Sequence, residues 1–487
     1  MMTPWLAQRA VDRKDAPALS VGDRTYTYAE LAAEVQRRAA GLAAMGIERG
    51  ATVGLRAQNS LDWVLGAHAV FWRGATLVPL HPRATDAELD FQLSQLDFDL
   101  LLVDPNDAAP DTTVRTVPLD ELRGPEDTVC RAARVAMDDV MTVLFTSGTT
   151  GKPKAVPLTV QNHLSSASAS ALRLGLCEND NWLCCLPLCH TGGLAIVLRS
   201  AIYGTSFELL DGFSTDDVLA VLAERPVTLA SFVPTMVYRL LEACEGAVES
   251  KLRAVLVGGG PIEARLLGEA RRRGIPALPT YGMTEASSQL ATLSPHADGH
   301  LDTAGTALEG VELRIEREDG TLCDADEAGA IWARGPMIMD GYLNRPDENT
   351  ARFRDGWFRT GDIGRIDRNG FLRIEHRLTD LIVTGGENVD PGEVEAVLRA
   401  ASGVRDVAVV GLDDPEWGEV VAAAVVPSEP VDEPAAFFEE LGEHCKSELA
   451  GFKTPQRWVI CSELPQTHSG KIHREQTRQL LRDAPVE

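Results

Sequence analysis

Thr146-Ser147-Gly148-Thr149-Thr150-Gly151-Lys152-Pro153-Lys154 follows the apolar run Val140-Met141-Thr142-Val143-Leu144-Phe145, and how this strand-like run meets its loop decides the fold. Glycines let backbone N–H groups turn towards an anion, the hydroxyls add short donors and the lysines add charge, so the segment suits a phosphate. Spacing excludes a Walker loop. Only Thr149 and Thr150 separate Gly148 from Gly151, and Pro153 removes a donor and biases Lys152 away from helical geometry. The loop is therefore expected in an extended setting flanked by strands.

Outward from the loop, helix and strand signals alternate. Thr27-Tyr28-Ala29-Glu30 reads as a capping box opening a helix from Leu31 to Met45. A short apolar strand at Thr52 to Leu55, a helix around Asp62 to Phe71 and the apolar run Ala75 to Leu80 follow. The rhythm recurs with a strand at Thr228 to Val233, a helix at Pro234 to Ala243, and a strand at Ala254 to Val257. That strand ends in Gly258-Gly259-Gly260-Pro261, ahead of a helix at Ile262 to Arg272. Such alternation implies α/β layers with largely parallel strands, whose ligands gather at the strands' carboxyl ends. From about Gly310 short strands and Gly/Asp turns imply a β-rich subdomain.

Beyond Arg377 mixed character returns, with a helix at Pro391 to Ala400, strands at Val404 to Gly411 and Val420 to Val426, and a helix at Ala435 to Ala450. The expected fold is α/β: a large N-terminal domain over residues 1–376, made of layered α/β subdomains plus the β-rich one, and a small α+β C-terminal domain over 377–487. About 110 residues suffice for independent folding. The 487-residue length alone calls for at least two domains.

A net charge of −26 argues against nucleic-acid or anionic-membrane partners. No apolar run is long enough to span a bilayer and the N-terminus has no leader pattern, so a cytoplasmic location is expected. Only seven of the 46 basic residues are lysine, and Lys152, Lys154 and Lys471 fall in glycine-rich motifs, where a compact point charge serves. The acidic surface also fits adaptation to high salt. Nine cysteines form no disulfide framework. The cluster Cys184-Cys185-Leu186-Pro187-Leu188-Cys189-His190 has no second pair at zinc-site spacing and reads as buried thiols.

Four further stretches bear on chemistry. Tyr281-Gly282-Met283-Thr284-Glu285 offers a ring to stack on a base, a hydroxyl for a phosphate and a carboxylate for Mg²⁺. Asp362, in Arg359-Thr360-Gly361-Asp362, suits a ribose diol, although alone it reads as an Asx-stabilised turn. Thr384-Gly385-Gly386-Glu387-Asn388-Val389 exposes backbone, and Gln466-Thr467-His468-Ser469-Gly470-Lys471 sets a lysine on a glycine loop. Each alone is compatible with an ordinary loop.

Together, in order and spacing across essentially the whole chain, these motifs resemble the acyl-adenylate-forming superfamily of acyl-CoA synthetases, luciferases and peptide-synthetase adenylation domains. The resemblance implies a mobile C-terminal domain and a site between the domains for ATP, Mg²⁺, a carboxylic acid and CoA. ATP would be bound by Thr146, Ser147, Gly148, Thr149, Thr150, Gly151, Lys152 and Lys154, with Gly258, Gly259, Gly260, Tyr281 and Gly282 about the adenine. Thr284 would meet the α-phosphate, Glu285 would hold Mg²⁺, Asp362 the ribose, and Arg377 would support the nucleotide. Lys471 would serve adenylation and then withdraw as the domain turns about a hinge near 377–380, leaving Gly385 and Gly386 to line the pantetheine passage. Thr379 stands at the hinge position where many relatives have Asp or Lys, and His376 replaces the usual glycine. Homodimers are common among relatives.

The stretch from Leu186 to Gly193 has no carboxylate to pair with an amino group, which disfavours an amino-acid substrate. The runs Gly258 to Ile262, Gly274 to Pro276 and Tyr281 to Gln289 resemble the o-succinylbenzoate-CoA ligases of menaquinone synthesis. Other aryl- or fatty-acyl-CoA synthetases, or an adenylating enzyme for a carrier protein, share parts of them. Such an acid carries a second carboxylate needing a donor. Arg239 and His190 are the candidates, with Ser288 and Gln289 near; His190 is also a catalytic candidate.

Overall fold

The computed structural model describes every residue except 108–110, 125–129, 147–152, 245, 261–262, 298, 378–380, 466–471 and 485–487, and at 376–377 the backbone only. Among the described residues the strands form four sheets. The first is six-stranded, ordered Thr116–Pro118, Leu100–Val103, Thr52–Arg56, Thr76–Leu80, Val140–Thr146 and Lys154–Thr159. Its strands are parallel except the last, which runs back against Val140–Thr146 with Thr146 opposite Lys154. The glycine-rich segment therefore joins two antiparallel strands, the extended setting expected, whereas a Walker loop enters a helix.

The second sheet has nine strands, and its parallel centre runs Pro17–Val21, Ser206–Leu209, Asn181–Cys184, Leu229–Phe232, Ala254–Val257 and Ala277–Met283. The first strands of the chain lie in this sheet rather than in the six-stranded one, so the two sheets interleave in sequence and share one large apolar core. A second core, built on Phe232, Val255 and Leu267, fills the other face. The β-rich part is an antiparallel sheet of Glu312–Glu316, Gly329–Arg334, Trp357–Ile366, Phe353–Arg354 and Leu372–Arg377, in which Asp362 lies opposite Arg377.

A fourth sheet, from Ile382 onward, carries its own cores on both faces. The helices Pro391–Ala400 and Pro434–Glu448 cover one face, and Arg474–Asp483 covers the other.

Local chemistry explains the starts and stops. Thr27 accepts from Glu30 N while Glu30 Oε2 accepts from Thr27 N at 2.8 Å, so the capping box forms, and the helix runs Tyr28–Ala44. Pro234 and Pro391 open their helices at the first turn, where a missing N–H is harmless. No helix among the described residues is long and apolar enough to cross a membrane.

Candidate functional site

At their carboxyl ends the central parallel strands meet the β-rich sheet through Tyr281 and Asp362, and the C-terminal sheet through Gly260 with Val383 and Val233 with Gly386. Tyr281, from the nine-stranded sheet, donates to Asp362 Oδ2 of the β-rich sheet at 2.5 Å, and both are buried. Ring and diol-type acceptor are thereby brought together from residues 81 apart. Gly282 beside them is required by packing, since a Cβ there would lie 2.0 Å from Ser288 O.

Thr284 and Glu285 stand on a single 3₁₀ turn, Thr284–Ala286. Thr191 Oγ1, at the start of the helix Thr191–Tyr203, donates to Thr284 Oγ1 at 3.1 Å. Glu285 is buried and accepts from Tyr342 Oη at 2.7 Å, while no Lys, Arg or His among the described residues pairs with it. A buried carboxylate without a cationic partner is expensive unless a cation joins it, so this group fits a hard, oxygen-seeking ion such as Mg²⁺.

Lys154 is placed by the strand that follows the loop. It lies in the strand Lys154–Thr159, buried, with Nζ donating to Glu348 Oε1 at 2.5 Å and 5.1 Å from the Tyr342 ring centre. Burial works against ionised Glu348, yet Lys154 and Arg352 hold its carboxyl below the usual range. The ammonium thus stands beside Tyr342, the residue that donates to Glu285. Thr146 ends the paired strand. Ser147, Gly148, Thr149, Thr150, Gly151, Lys152 and Lys471 lie outside the described residues, as do Thr379 and Asp380; for Arg377 only the backbone is described.

His190 is the N-cap of the helix Thr191–Tyr203, and its Nε2 lies 2.8 Å from Glu387 Oε2 on the C-terminal sheet. His81 and Arg83 reach the other oxygen at 3.3 and 3.0 Å. Burial opposes ionised Glu387, but His190 and His81 hold it well below the ordinary carboxylate range. The His190 ring, which burial alone would discharge, is held more basic than usual by Glu387. Gly386 packs on Val233 at the same junction, 3.1 Å from where its Cβ would stand, and has φ +87°. Of the pantetheine candidates, Gly386 thus faces the end of an N-terminal strand, while a Cβ on Gly385 would meet the Trp417 ring at 2.9 Å.

Two further contacts tie the units. Lys453 pairs with Glu88 across the junction and with Glu393 on its own side at 2.9 Å, and Thr85 Oγ1 donates to Glu448 O at 2.8 Å. Arg239, the candidate for the acid's second carboxylate, is instead engaged by Glu416 at 2.9 Å and lies 5.0 Å from the Trp417 ring centre. Gln289 is buried, donating to Thr292 Oγ1 at 2.7 Å, and its Oε1 has no partner among the described residues. Of the groups holding the junction, His81, Arg83, Glu88 and Lys453 escaped the sequence reading, and Glu387 was quoted only as a neighbour of glycines. They share no local signal: His81 and Arg83 flank Pro82 and Glu387 follows Gly386, but Glu88 has neither proline nor glycine beside it, and only the fold pairs them.

Residues 6–343 match the AMP-binding enzyme family and residues 393–471 the AMP-binding enzyme C-terminal domain. The 2-succinylbenzoate–CoA ligase of Bacillus subtilis is 40% identical over 478 residues, 97% of each chain. A double mutant of o-succinylbenzoate CoA synthetase from Bacillus subtilis, bound to the product analogue OSB-NCoA, is 39% identical, covers 99% of both chains and superposes with a TM-score of 0.92. The synthetase from the same organism in complex with the acyl-adenylate OSB-AMP, at the same identity and coverage, gives 0.76.

Proposed function

This chain belongs to the AMP-binding enzyme family, and from that premise we propose that it is an ATP-dependent acid–CoA ligase that converts 2-succinylbenzoate to 2-succinylbenzoyl-CoA for menaquinone synthesis. The near-full-length identity to the 2-succinylbenzoate–CoA ligase of Bacillus subtilis, with the superposition on that organism's synthetase, carries the reading.

The chemistry answers a leaving-group problem. A carboxylate resists nucleophiles, so its oxygen attacks the α-phosphorus of ATP, pyrophosphate departs, and the mixed anhydride offers AMP as leaving group to the CoA thiolate. In the first step the segment 146–154, with Lys152 and Lys154, cradles the β- and γ-phosphates, Gly258, Gly259, Gly260 and Tyr281 flank adenine, and Asp362 takes the ribose. Thr284 donates to the α-phosphate, and Lys471 supplies a charge where the phosphorus becomes crowded. Glu285 holds Mg²⁺, which would neutralise the phosphate oxygens when bound.

For the second step the domain turns about 377–380, the boundary between domains 1–376 and 377–487. Lys471 withdraws, and Gly385 and Gly386 open a narrow passage to the adenylate. His190, oriented by Glu387, then faces the acyl group, with Ser288 and Gln289 in its pocket. Arg239 is held by Glu416 and His190 by Glu387 in this arrangement, so either must be released before it can meet the second carboxylate. We further propose a homodimer in the cytoplasm, which sedimentation and cell fractionation test.

The experiment is pyrophosphate release and thioester formation with 2-succinylbenzoate, fatty acids and benzoates, with and without CoA. Preference for 2-succinylbenzoate supports the assignment; preference for a fatty acid or a plain benzoate replaces it with another acyl- or aryl-CoA synthetase.

A further inference from the structure

We propose that Glu88 and Lys453 are positioning residues for thioester formation: the capping box that opens the helix Asp86–Leu93 serves a second time, as the receptor that seats the C-terminal domain for the CoA step. Glu88 Oε2 accepts from Thr85 N at 2.9 Å and Thr85 Oγ1 accepts from Glu88 N at 3.3 Å, which completes an ordinary box. Here the same two side chains reach on to the other domain. Thr85 Oγ1 donates to Glu448 O at 2.8 Å, Glu88 Oε2 accepts from Ala450 N at 3.2 Å, and Glu88 Oε1 accepts from Lys453 Nζ. Glu448 ends the helix Pro434–Glu448, whose last carbonyls have no partner inside the helix, so the start of one helix satisfies the end of another.

Only 9% of the Glu88 side chain and 11% of Lys453 are exposed, and charges so far removed from water are stable only while paired. Each has a second partner on its own side. Lys453 holds Glu393, in the first turn of the helix Pro391–Ala400, at 2.9 Å, and Glu88 holds Thr85. When the C-terminal domain leaves, neither charge is stranded, so the contact can open and close. A buried pair without such local partners would clamp the domains, because separating it leaves both charges uncompensated.

The latch adjoins the candidate site. Phe452, next to Lys453, lies 5.6 Å from the His81 ring and carries the Arg83 guanidinium 5.3 Å over its own, and His81 and Arg83 both reach Glu387. Gly386, a pantetheine candidate, packs on Val233 in the same arrangement. Seating the segment 448–453 therefore also seats the loop of Gly386 and Glu387. Assigning this arrangement to the CoA step rests on the proposed function; the docking role of Glu88 and Lys453 does not.

The test uses Glu88→Gln, which removes the charge yet keeps a residue that serves in a capping box, together with Lys453→Met and the double variant of the full-length protein. Each single variant should slow thioester formation from supplied acyl-adenylate by about 10-fold or more, the loss expected for a hydrogen bond to a charged group. Pyrophosphate exchange into ATP should stay within a factor of about 3. The double variant should be about as slow as the slower single one, since the two residues act through one contact. Energy transfer between dyes on the two domains, read without substrates, should shift away from its wild-type value in each. If Lys453→Met does not fold, Glu88→Gln carries the test. Equal slowing of both half-reactions, losses that multiply in the double variant, or unchanged energy transfer in Glu88→Gln would overturn the proposal. A wild-type protein that adenylates no acid would sink the proposed function instead, and the energy transfer would still decide the latch.

Discussion

Glu387 Oε2 lies 2.8 Å from His190 Nε2, joining the loop that carries Gly385 and Gly386 to the cap of the helix facing the acyl pocket. A carboxylate from one domain thereby orients a ring on the other.

Glu387→Gln removes the charge but keeps the shape. It is expected to slow thioester formation from supplied acyl-adenylate by roughly 10- to 100-fold, the worth of a hydrogen bond between charged groups. Adenylation, measured as pyrophosphate exchange into ATP, should change by less than a factor of about 3. Equal loss in both would remove the division of labour.

The same contact sets a pH dependence. His190 is raised above its free value, so its contribution is complete below the ordinary imidazole range of about 6.5 and is lost as pH rises through the raised value. Glu387 is depressed, so its contribution is present above the ordinary carboxylate range of about 4.3 and is lost as pH falls through the depressed value. Docking should therefore weaken first on the alkaline side. Because 44% of the His190 side chain is exposed, solvent screens the pair and the change should be about 1 kcal/mol or less. Energy transfer between dyes on the two domains reads it, and the alkaline limb should vanish in Glu387→Gln.

Lys471→Ala should show the opposite pattern. Loss of one electrostatic donor slows adenylation by about 100-fold or more while thioester formation from supplied acyl-adenylate is spared. Rapid-quench measurement of each half-reaction checks this.

Arg239→Leu distinguishes its two readings. Held by Glu416 and Trp417, the guanidinium belongs to the domain junction, so the variant should lower the CoA-dependent step a few-fold and leave the preference for dicarboxylic over monocarboxylic aryl acids unchanged. A selective rise in KM for the dicarboxylic acid would return Arg239 to the acyl pocket.

Elements marked by local chemistry were legible in the sequence. The helices Pro234–Ala243 and Pro391–Ala400 and the strand Ala254–Val257 match residue for residue, because proline opens each helix and glycines close the strand. The strand Lys154–Thr159 was expected only as the loop's far flank, without bounds; it carries Pro157 at the edge of its sheet, where a missing N–H is tolerated. The placement of Pro17–Val21 in the second sheet depends on Leu19 meeting Phe207, a pairing no local pattern encodes. Tyr281 with Asp362, and Glu88 with Lys453, are likewise products of topology. The motif residues were therefore readable as types of chemistry, while the charges that position them were not.

The central claim is that an acid is joined to AMP and then handed to CoA in one cleft, with the C-terminal domain redocked between steps. A rapid-quench single turnover with 2-succinylbenzoate, radiolabelled ATP and excess enzyme tests it most directly. Acyl-adenylate should accumulate without CoA, and on adding CoA it should disappear at the rate at which thioester and AMP appear. Formation of thioester with ADP as product, or with no adenylate preceding it, would contradict the account.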